Sequence, residues 1–114
     1  MEPTGTDFED DLSLMLRVQR CGDATAFAEL AGRYRGQLKR FFAALLPDPA
    51  LADDFAQETL LRLWLSRSRY RPDGKFSAYL FQIARHYYLN QRLRYRARAS
   101  LEVSTDTGNG LEIE

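Results

Sequence analysis

Cysteine and histidine are almost absent from this chain, whose 114 residues contain one of each, Cys21 and His86. A single cysteine cannot close an internal disulfide, and the two residues are too few for a typical zinc site. They also leave no Cys/His or Ser/His pair for nucleophilic catalysis. The adjacent carboxylates Asp53 and Asp54 would project about 100° apart on a helix, so they cannot form a catalytic dyad. We therefore expect a protein that is not an enzyme and needs no cofactor or metal.

Long apolar runs are also missing. No stretch approaches the roughly 20 apolar residues that a membrane-spanning helix needs, and the acidic start, MEPTGTDFEDD, is unlike a secretory or transit peptide. The apolar content of 45% is ordinary for a globular domain. The sequence predicts one cytoplasmic domain with a modest core and no membrane insertion.

Acidic residues are scarce in one part of the chain, although the net charge is zero. Residues 1–61 hold 6 basic and 11 acidic side chains, a net charge of −5. Residues 62–98 hold 10 basic side chains and only Asp73, a net of +9, and residues 99–114 hold 4 acidic and no basic side chains. This asymmetry favours a polyanionic partner for the basic block 62–98.

Apolar residues recur at three- and four-residue steps in four segments, which predicts four helices. The expected helices run from Asp7 to Arg20 with Gly22 as a stop, from an Asp23 cap to just before Pro47, over about 49–66 after Asp48 and Pro49, and from Phe76 to Arg98. No segment shows clean strand alternation. We expect an all-α bundle of about four helices spanning 10–98, with a flexible N-terminus at 1–9 and a linker or tail at 99–114. Gly32 and Gly36 would permit a close helix–helix approach.

The basic block interleaves arginines with aromatic side chains. Arg85, Arg92 and Arg96 are spaced by seven and four residues, so they share one helix face and can neutralise a run of phosphates. The aromatics point all around the helix, where they offer stacking surfaces to unpaired bases. One alternative is a solvated basic helix whose aromatics are mostly core. A second is a helix lying on an anionic membrane, but its aromatics would cluster on one side. We expect nucleic-acid binding.

Three ordered motifs, LADDFAQETLLRLW, RYRPDGKFSAYLFQIAR and LNQRLRYRAR, resemble conserved region 2 of bacterial sigma factors, especially the extracytoplasmic-function group. The resemblance covers about residues 10–98. It implies a domain that binds core RNA polymerase through the clamp helices of the β′ subunit, and that recognises and melts the −10 promoter element. The implied partners are the polymerase, single-stranded non-template DNA and, as a further candidate, an anti-sigma factor. The alternative is an interaction module that docks on polymerase or an anti-sigma factor without productive DNA binding.

The resemblance also implies two sets of site residues. The polymerase-binding set is Leu38, Asp54, Gln57, Glu58 and Leu61, of which Leu38 could equally be a core residue. The DNA-binding set is Arg69, Tyr70, Arg71, Lys75, Tyr79, Arg85, His86, Asn90, Arg92 and Arg96. The loop 67–75 matches a segment that cradles a flipped-out base. The chain departs from the usual pattern at Tyr79, His86 and Asn90, where Trp, Asn and Asp are usual, and these departures leave the fold expectation intact.

Overall fold

Four α-helices with short connections make up most of the chain that the structure describes. The computed structural model describes the backbone of residues 9–107 and the side chains of residues 9–99. The helices are α1 (Asp11–Cys21), α2 (Ala24–Leu45), α3 (Ala52–Leu65) and α4 (Phe76–Thr107), with 3₁₀ turns at Pro49–Leu51 and Arg67–Arg69. No strand occurs between residues 9 and 107, and the predicted all-α fold of four helices is confirmed.

The corner between α1 and α2 is built by local stop and start signals. Gly22 adopts the left-handed conformation, with φ 61° and ψ 37°, and its N–H donates to the Val18 carbonyl at 3.0 Å. The Asp23 carboxylate then accepts from the Ala26 N–H at 3.0 Å and caps α2. At the other end of α1, Asp10 is the cap, so the helix begins later than the predicted Asp7, which lies outside the described residues.

The connection from α2 to α3 also follows its sequence signals. Helix α2 ends at Leu45, just before Pro47, and the Asp48 carboxylate accepts from the Ala50 N–H at 3.0 Å. Pro49 opens a 3₁₀ turn, and the α-helical pattern starts only at Ala52. The predicted third helix is therefore correct in place, but its first three residues are wound more tightly.

The described chain divides into two units, residues through Ala84 and residues from Arg85 onward. Fully buried apolar side chains form the core of the first unit: Met15, Val18, Leu38, Phe42, Ala52, Ala56, Leu63 and Leu80. Edge-to-face ring pairs extend this core, with Phe42 and Phe55 centred 5.2 Å apart and Phe41 and Phe81 5.4 Å apart. Among the helices described, none is both long and apolar enough to cross a bilayer.

Helix α4 runs nine residues past the predicted end at Arg98, as far as Thr107. The apolar periodicity fades there, but residues 99–107 contain neither glycine nor proline to stop the helix. The first half of the predicted linker is thus helical, and residues 1–8 and 108–114, which hold most of the predicted flexible ends, lie outside the described chain.

Two glycines of α2 do not serve the close packing that their spacing suggested. A Cβ atom at Gly32 would meet nothing within 4 Å, and one at Gly36 would meet only Nη1 of Arg40, at 3.6 Å. The predicted close helix approach at these positions is therefore wrong.

Candidate functional site

One face of α3 carries most of the residues assigned to polymerase binding. Asp54, Gln57 and Leu61 are exposed, and Glu58 is half-buried beside Arg62, with 3.4 Å between Oε2 and Nε. Their spacing of three and four residues places them along one side of the helix. Leu61 leaves 47% of its surface in solvent, so this polar face also offers an apolar contact.

A groove between α2 and α3 opens beside this face. Its volume is about 430 Å³, and Phe27, Ala31, Arg35, Gln57, Leu61 and Trp64 are among its lining residues. Phe27 and Trp64 meet edge to face, with ring centres 5.2 Å apart. Arg35 approaches Asp53 at 3.6 Å, so one wall is charged and the others are mainly apolar. Gln57 and Leu61 therefore belong both to the exposed face and to a concave surface.

Leu38 does not share this exposure. Its side chain is 0% exposed, on the same face of α2 as the buried Leu30 and Phe42. A partner cannot reach it without opening the core, so we assign Leu38 to packing and leave it out of the interface.

The loop 67–75 is organised around an inward-pointing tyrosine. Tyr70 is only 3% exposed, and its ring centre lies 5.0 Å from that of Tyr79 and 6.2 Å from that of Phe76. Its backbone is extended, with φ −62° and ψ 136°, and side chains alternate in direction along extended backbone. Arg71, which follows Tyr70, is accordingly exposed, and Arg69, the last residue of the 3₁₀ turn, is exposed as well. Tyr70 is an anchor of the loop and not an accessible stacking surface, so we also leave it out of the contact set.

Tyr70 places its hydroxyl group in the core. Its hydroxyl is buried and has no hydrogen-bond partner among the described residues. Burial, which comes first, and the nearby Tyr79 raise the pKa of Tyr70 above its usual range. The phenol therefore stays neutral in the folded protein at ordinary pH.

The cations of the loop differ in how they are held. Arg69 and Lys75 are exposed and approach no carboxylate among the described side chains. Arg71 comes within 3.9 Å of Asp73, but both side chains are about four-fifths exposed, so the pair adds little. Arg67 instead lies over the Trp64 ring and donates to the Trp64 carbonyl at 2.9 Å. The loop thus presents three cations to solvent and keeps one against the helix.

A side chain from α1 holds the backbone of this loop. Nε2 of Gln19 lies 3.2 Å from the Ser68 carbonyl oxygen and 2.9 Å from that of Tyr70. The contact joins positions 49 and 51 residues apart. Sequence reasoning did not assign Gln19 any role, because no local signal in α1 announces so distant a contact.

The remaining candidates for DNA binding lie on α4. Tyr79 is half-buried in the first unit, against Tyr70. In the second unit, the exposed candidates are Arg85, His86, Asn90, Arg92 and Arg96. Residues 85–99 contain no acidic side chain, and Arg85, Arg92 and Arg96 share one face of this helical segment. The segment is a positively charged surface in its own right.

A separate polar cluster joins α1 to α2. Asp11 accepts from the Tyr34 hydroxyl at 2.5 Å and pairs with Nη1 of Arg33 at 2.9 Å. Arg17 pairs with Glu9 and, at 3.0 Å, with Asp23. Burial, followed by the bond to Asp11, raises the pKa of Tyr34 to about 12. Every member of this cluster has a partner within it, so we interpret the cluster as a structural contact between α1 and α2. Among the described residues, no group of His, Cys, Asp and Glu side chains is suited to a metal ion.

Comparison with known proteins assigns this arrangement to a class. Residues 30–99 match the sigma-70 region 2 family. The match covers more than half of the chain, so the protein belongs to the sigma-70 region 2 family. This is a family of transcription initiation factors, which are not enzymes, so the expectation of a non-enzymatic protein is confirmed.

Two curated proteins are similar to the chain. The RNA polymerase sigma factor CarQ of Myxococcus xanthus is 37% identical over 65 residues, which are 57% of this chain and 37% of CarQ. The RNA polymerase sigma-H factor of Pseudomonas aeruginosa is 33% identical over 76 residues, which are 67% of this chain and 39% of sigma-H. The chain thus matches less than two fifths of the length of these relatives. Together with the family match, these similarities confirm the predicted resemblance to region 2.

Proposed function

We propose that this domain binds the β′ clamp helices of core RNA polymerase through α3 and recognises and melts the −10 promoter element through its basic surfaces. The observation that carries the proposal is the arrangement of the loop, in which Tyr70 is buried and the residues on either side of it, Arg69 and Arg71, are exposed. The domain supplies binding alone, and the chemistry belongs to the polymerase. Such a protein would act in the cytoplasm, where it meets its polymerase.

The polymerase contact is supported by the exposed face of α3. Asp54 and Gln57 present a carboxylate and an amide to solvent, and Leu61 adds an apolar anchor beside the groove. A coiled coil that carries arginines fits such a face, because charge pairs set orientation while the apolar contact adds affinity.

The DNA contact is supported by cations that lack internal partners. Arg69 and Lys75 on the loop are exposed and unpaired within the described residues, so they are available to phosphates. The segment 85–96 adds exposed Arg85, Arg92 and Arg96 to bind phosphates, with Asn90 and His86 able to read base edges. Tyr79 exposes part of its ring for stacking on an unpaired base.

The DNA half is tested by fluorescence titration with a single strand of −10-like sequence at several salt concentrations. Lys75→Ala and Arg92→Ala should each weaken binding and lower the slope of log K against log salt by about 0.7. Lys39→Ala and Arg40→Ala are the matched controls, because they remove exposed cations of α2 and should change neither quantity. Lack of binding by the wild type, or equal effects of test and control variants, would refute this half.

The polymerase half is tested with a fragment carrying the β′ clamp helices. Asp54→Arg combined with Gln57→Ala should weaken capture of the fragment by at least about tenfold, or about 1.4 kcal/mol. Gln37→Arg adds a positive charge at an exposed position of α2 and should leave capture unchanged. Capture that is indifferent to the double change would contradict the assignment of α3.

A second candidate function is an interaction module that docks on polymerase, or is held by an anti-sigma factor, without productive DNA binding. The groove beside α3 favours it, because a largely apolar concave surface needs no nucleic acid to be useful. It predicts capture by the clamp-helix fragment together with no response to single-stranded DNA, so the DNA titration separates the two candidates.

A further inference from the structure

Gln19 links the first helix to the basic loop through two hydrogen bonds from one amide. Its Nε2 donates to the Tyr70 carbonyl at 2.9 Å and to the Ser68 carbonyl at 3.2 Å. A primary amide has two N–H donors, so one side chain can serve both oxygens. The carbonyls also fix the orientation of the amide, because only its nitrogen can face two acceptors.

The loop backbone has few other bonds at this point. The N–H groups of Arg69 and Tyr70 donate back to Ser66 and Arg67 and close the 3₁₀ turn. The next backbone bond along the chain is that from the Tyr79 N–H to the Lys75 carbonyl. Within the described residues, the carbonyls of Ser68 and Tyr70 therefore receive their donor from Gln19 and not from the backbone.

Tyr70 is consequently held at two places. Its ring packs against Phe76 and Tyr79, and its carbonyl is bound by Gln19. These two contacts restrict how the backbone of Tyr70 can turn, and with it the direction in which the adjacent Arg71 leaves the loop, while the 3₁₀ turn holds Arg69 on the other side. Without the amide, the ring would still be buried, but the backbone could turn about it.

We propose that Gln19 is a positioning residue that sets the loop geometry with which the domain distinguishes one base sequence from another. The inference rests on the proposed DNA function and on the expectation that the loop 67–75 cradles a flipped-out base, and it adds to them Gln19 of α1, which acts through the loop backbone. Phosphate contacts tolerate displacement, because they depend mainly on charge, whereas contacts to base edges depend on hydrogen-bond geometry. Gln19 therefore acts on sequence discrimination and not on the number of phosphates bound.

The first test measures the loop without DNA, by limited digestion with trypsin at the bond between Arg69 and Tyr70. Gln19→Met keeps the length of the side chain and removes both donors, so cleavage at this bond should be at least about threefold faster. Gln37→Met makes the same change at an exposed position of α2 and should leave the rate unchanged. Equal rates in wild type and Gln19→Met would overturn the inference, whatever the outcome with DNA.

The second test measures discrimination, as the ratio of affinities for a −10-like single strand and for a scrambled strand of equal composition. In Gln19→Met this ratio should fall by at least about threefold while the salt slope stays at the wild-type value. A merely destabilised variant would lose affinity for both strands in the same proportion. Faster cleavage with an unchanged ratio would therefore overturn the role in discrimination.

The two tests also separate this inference from the function on which it rests. If the wild type binds neither strand, the proposed DNA function fails and the role of Gln19 in discrimination fails with it. If the wild type discriminates and Gln19→Met discriminates equally well, the DNA function stands and the inference alone is overturned.

Discussion

The guanidinium carbon of Arg67 lies 4.0 Å from the centre of the Trp64 ring, and Nη1 of the same side chain donates to the Trp64 carbonyl. Arg67 thus closes the end of α3, where carbonyls lack helical donors, and also makes a cation–π contact. Only two residues away, Arg69 is exposed and has no partner among the described side chains. Arg67 therefore contributes to the fold, whereas Arg69 in the same loop is exposed to a partner.

The different environments of Arg67 and Arg69 predict that Arg67→Ala mainly affects stability, whereas Arg69→Ala mainly affects DNA binding. Arg67→Ala should lower the free energy of unfolding by about 1–2 kcal/mol, because it removes the contact with the Trp64 ring and a hydrogen bond. Arg69→Ala should change stability by less than about 0.5 kcal/mol but weaken binding of single-stranded DNA. Urea unfolding and the fluorescence titration, applied to both variants, check this. Equal behaviour of the two variants in both assays would contradict it.

The buried hydroxyl of Tyr70 predicts that two substitutions at this position will have very different effects on stability. Tyr70→Phe removes an unsatisfied polar group, so stability should stay the same or rise by up to about 1 kcal/mol. Tyr70→Ala empties a site packed against Phe76 and Tyr79 and should cost about 3–5 kcal/mol. Thermal or urea unfolding distinguishes the cases, and a substantial loss in Tyr70→Phe would show that the hydroxyl has a partner, such as a water.

The raised pKa of Tyr34 predicts alkaline instability. In the unfolded chain a tyrosine ionises near its usual value of 10, whereas burial and the bond to Asp11 hold the pKa of Tyr34 at about 12. A pKa that is higher in the folded state adds stability that is fully present below about pH 10 and is lost as pH rises through about 12. Tyr34→Phe should therefore be less stable than wild type near pH 8, and the gap should narrow above pH 10. Urea unfolding across this range checks the prediction, and a gap that does not change with pH would contradict it.

The burial of Leu38 and the exposure of Leu61 predict that the first residue matters for stability and the second for polymerase binding. Leu38→Ala should lower the free energy of unfolding by about 2–5 kcal/mol, because the side chain is fully buried. Leu61→Ala should leave stability within about 0.5 kcal/mol of wild type and weaken capture by the clamp-helix fragment. The pair would be misassigned if Leu61→Ala unfolded the domain or left capture intact.

The boundaries near α2 could be read from the sequence because their causes are local. Gly22 ends one helix by its own conformational freedom, and Asp23 starts the next with its own carboxylate. The far end of α4 was harder, because a fading apolar pattern resembles a stop even where no breaker occurs. Local chemistry was thus a better guide than periodicity at helix ends.

The site was only partly predictable, for a different reason. The motifs indicated that 67–75 is a basic loop, but which of its side chains points inward depends on Phe76, Tyr79 and the distant Gln19. Leu38 shows the same limit, since an apolar helical position can serve packing or recognition and only the neighbouring helices decide. Tertiary contacts therefore separate Tyr70 from Arg69, which the sequence alone could not do.

Helix α2 can be made more stable by substitution at its two glycines. Gly32 and Gly36 face open space, so alanine fits at either position without displacing a neighbour, apart from an ordinary contact with Arg40. Each replacement should stabilise the helix by roughly 0.5–1 kcal/mol through reduced backbone entropy in the unfolded chain. Gly32→Ala and Gly36→Ala together would therefore give a sturdier background in which the costly substitutions at Tyr70 and Leu38 can be studied in a folded protein.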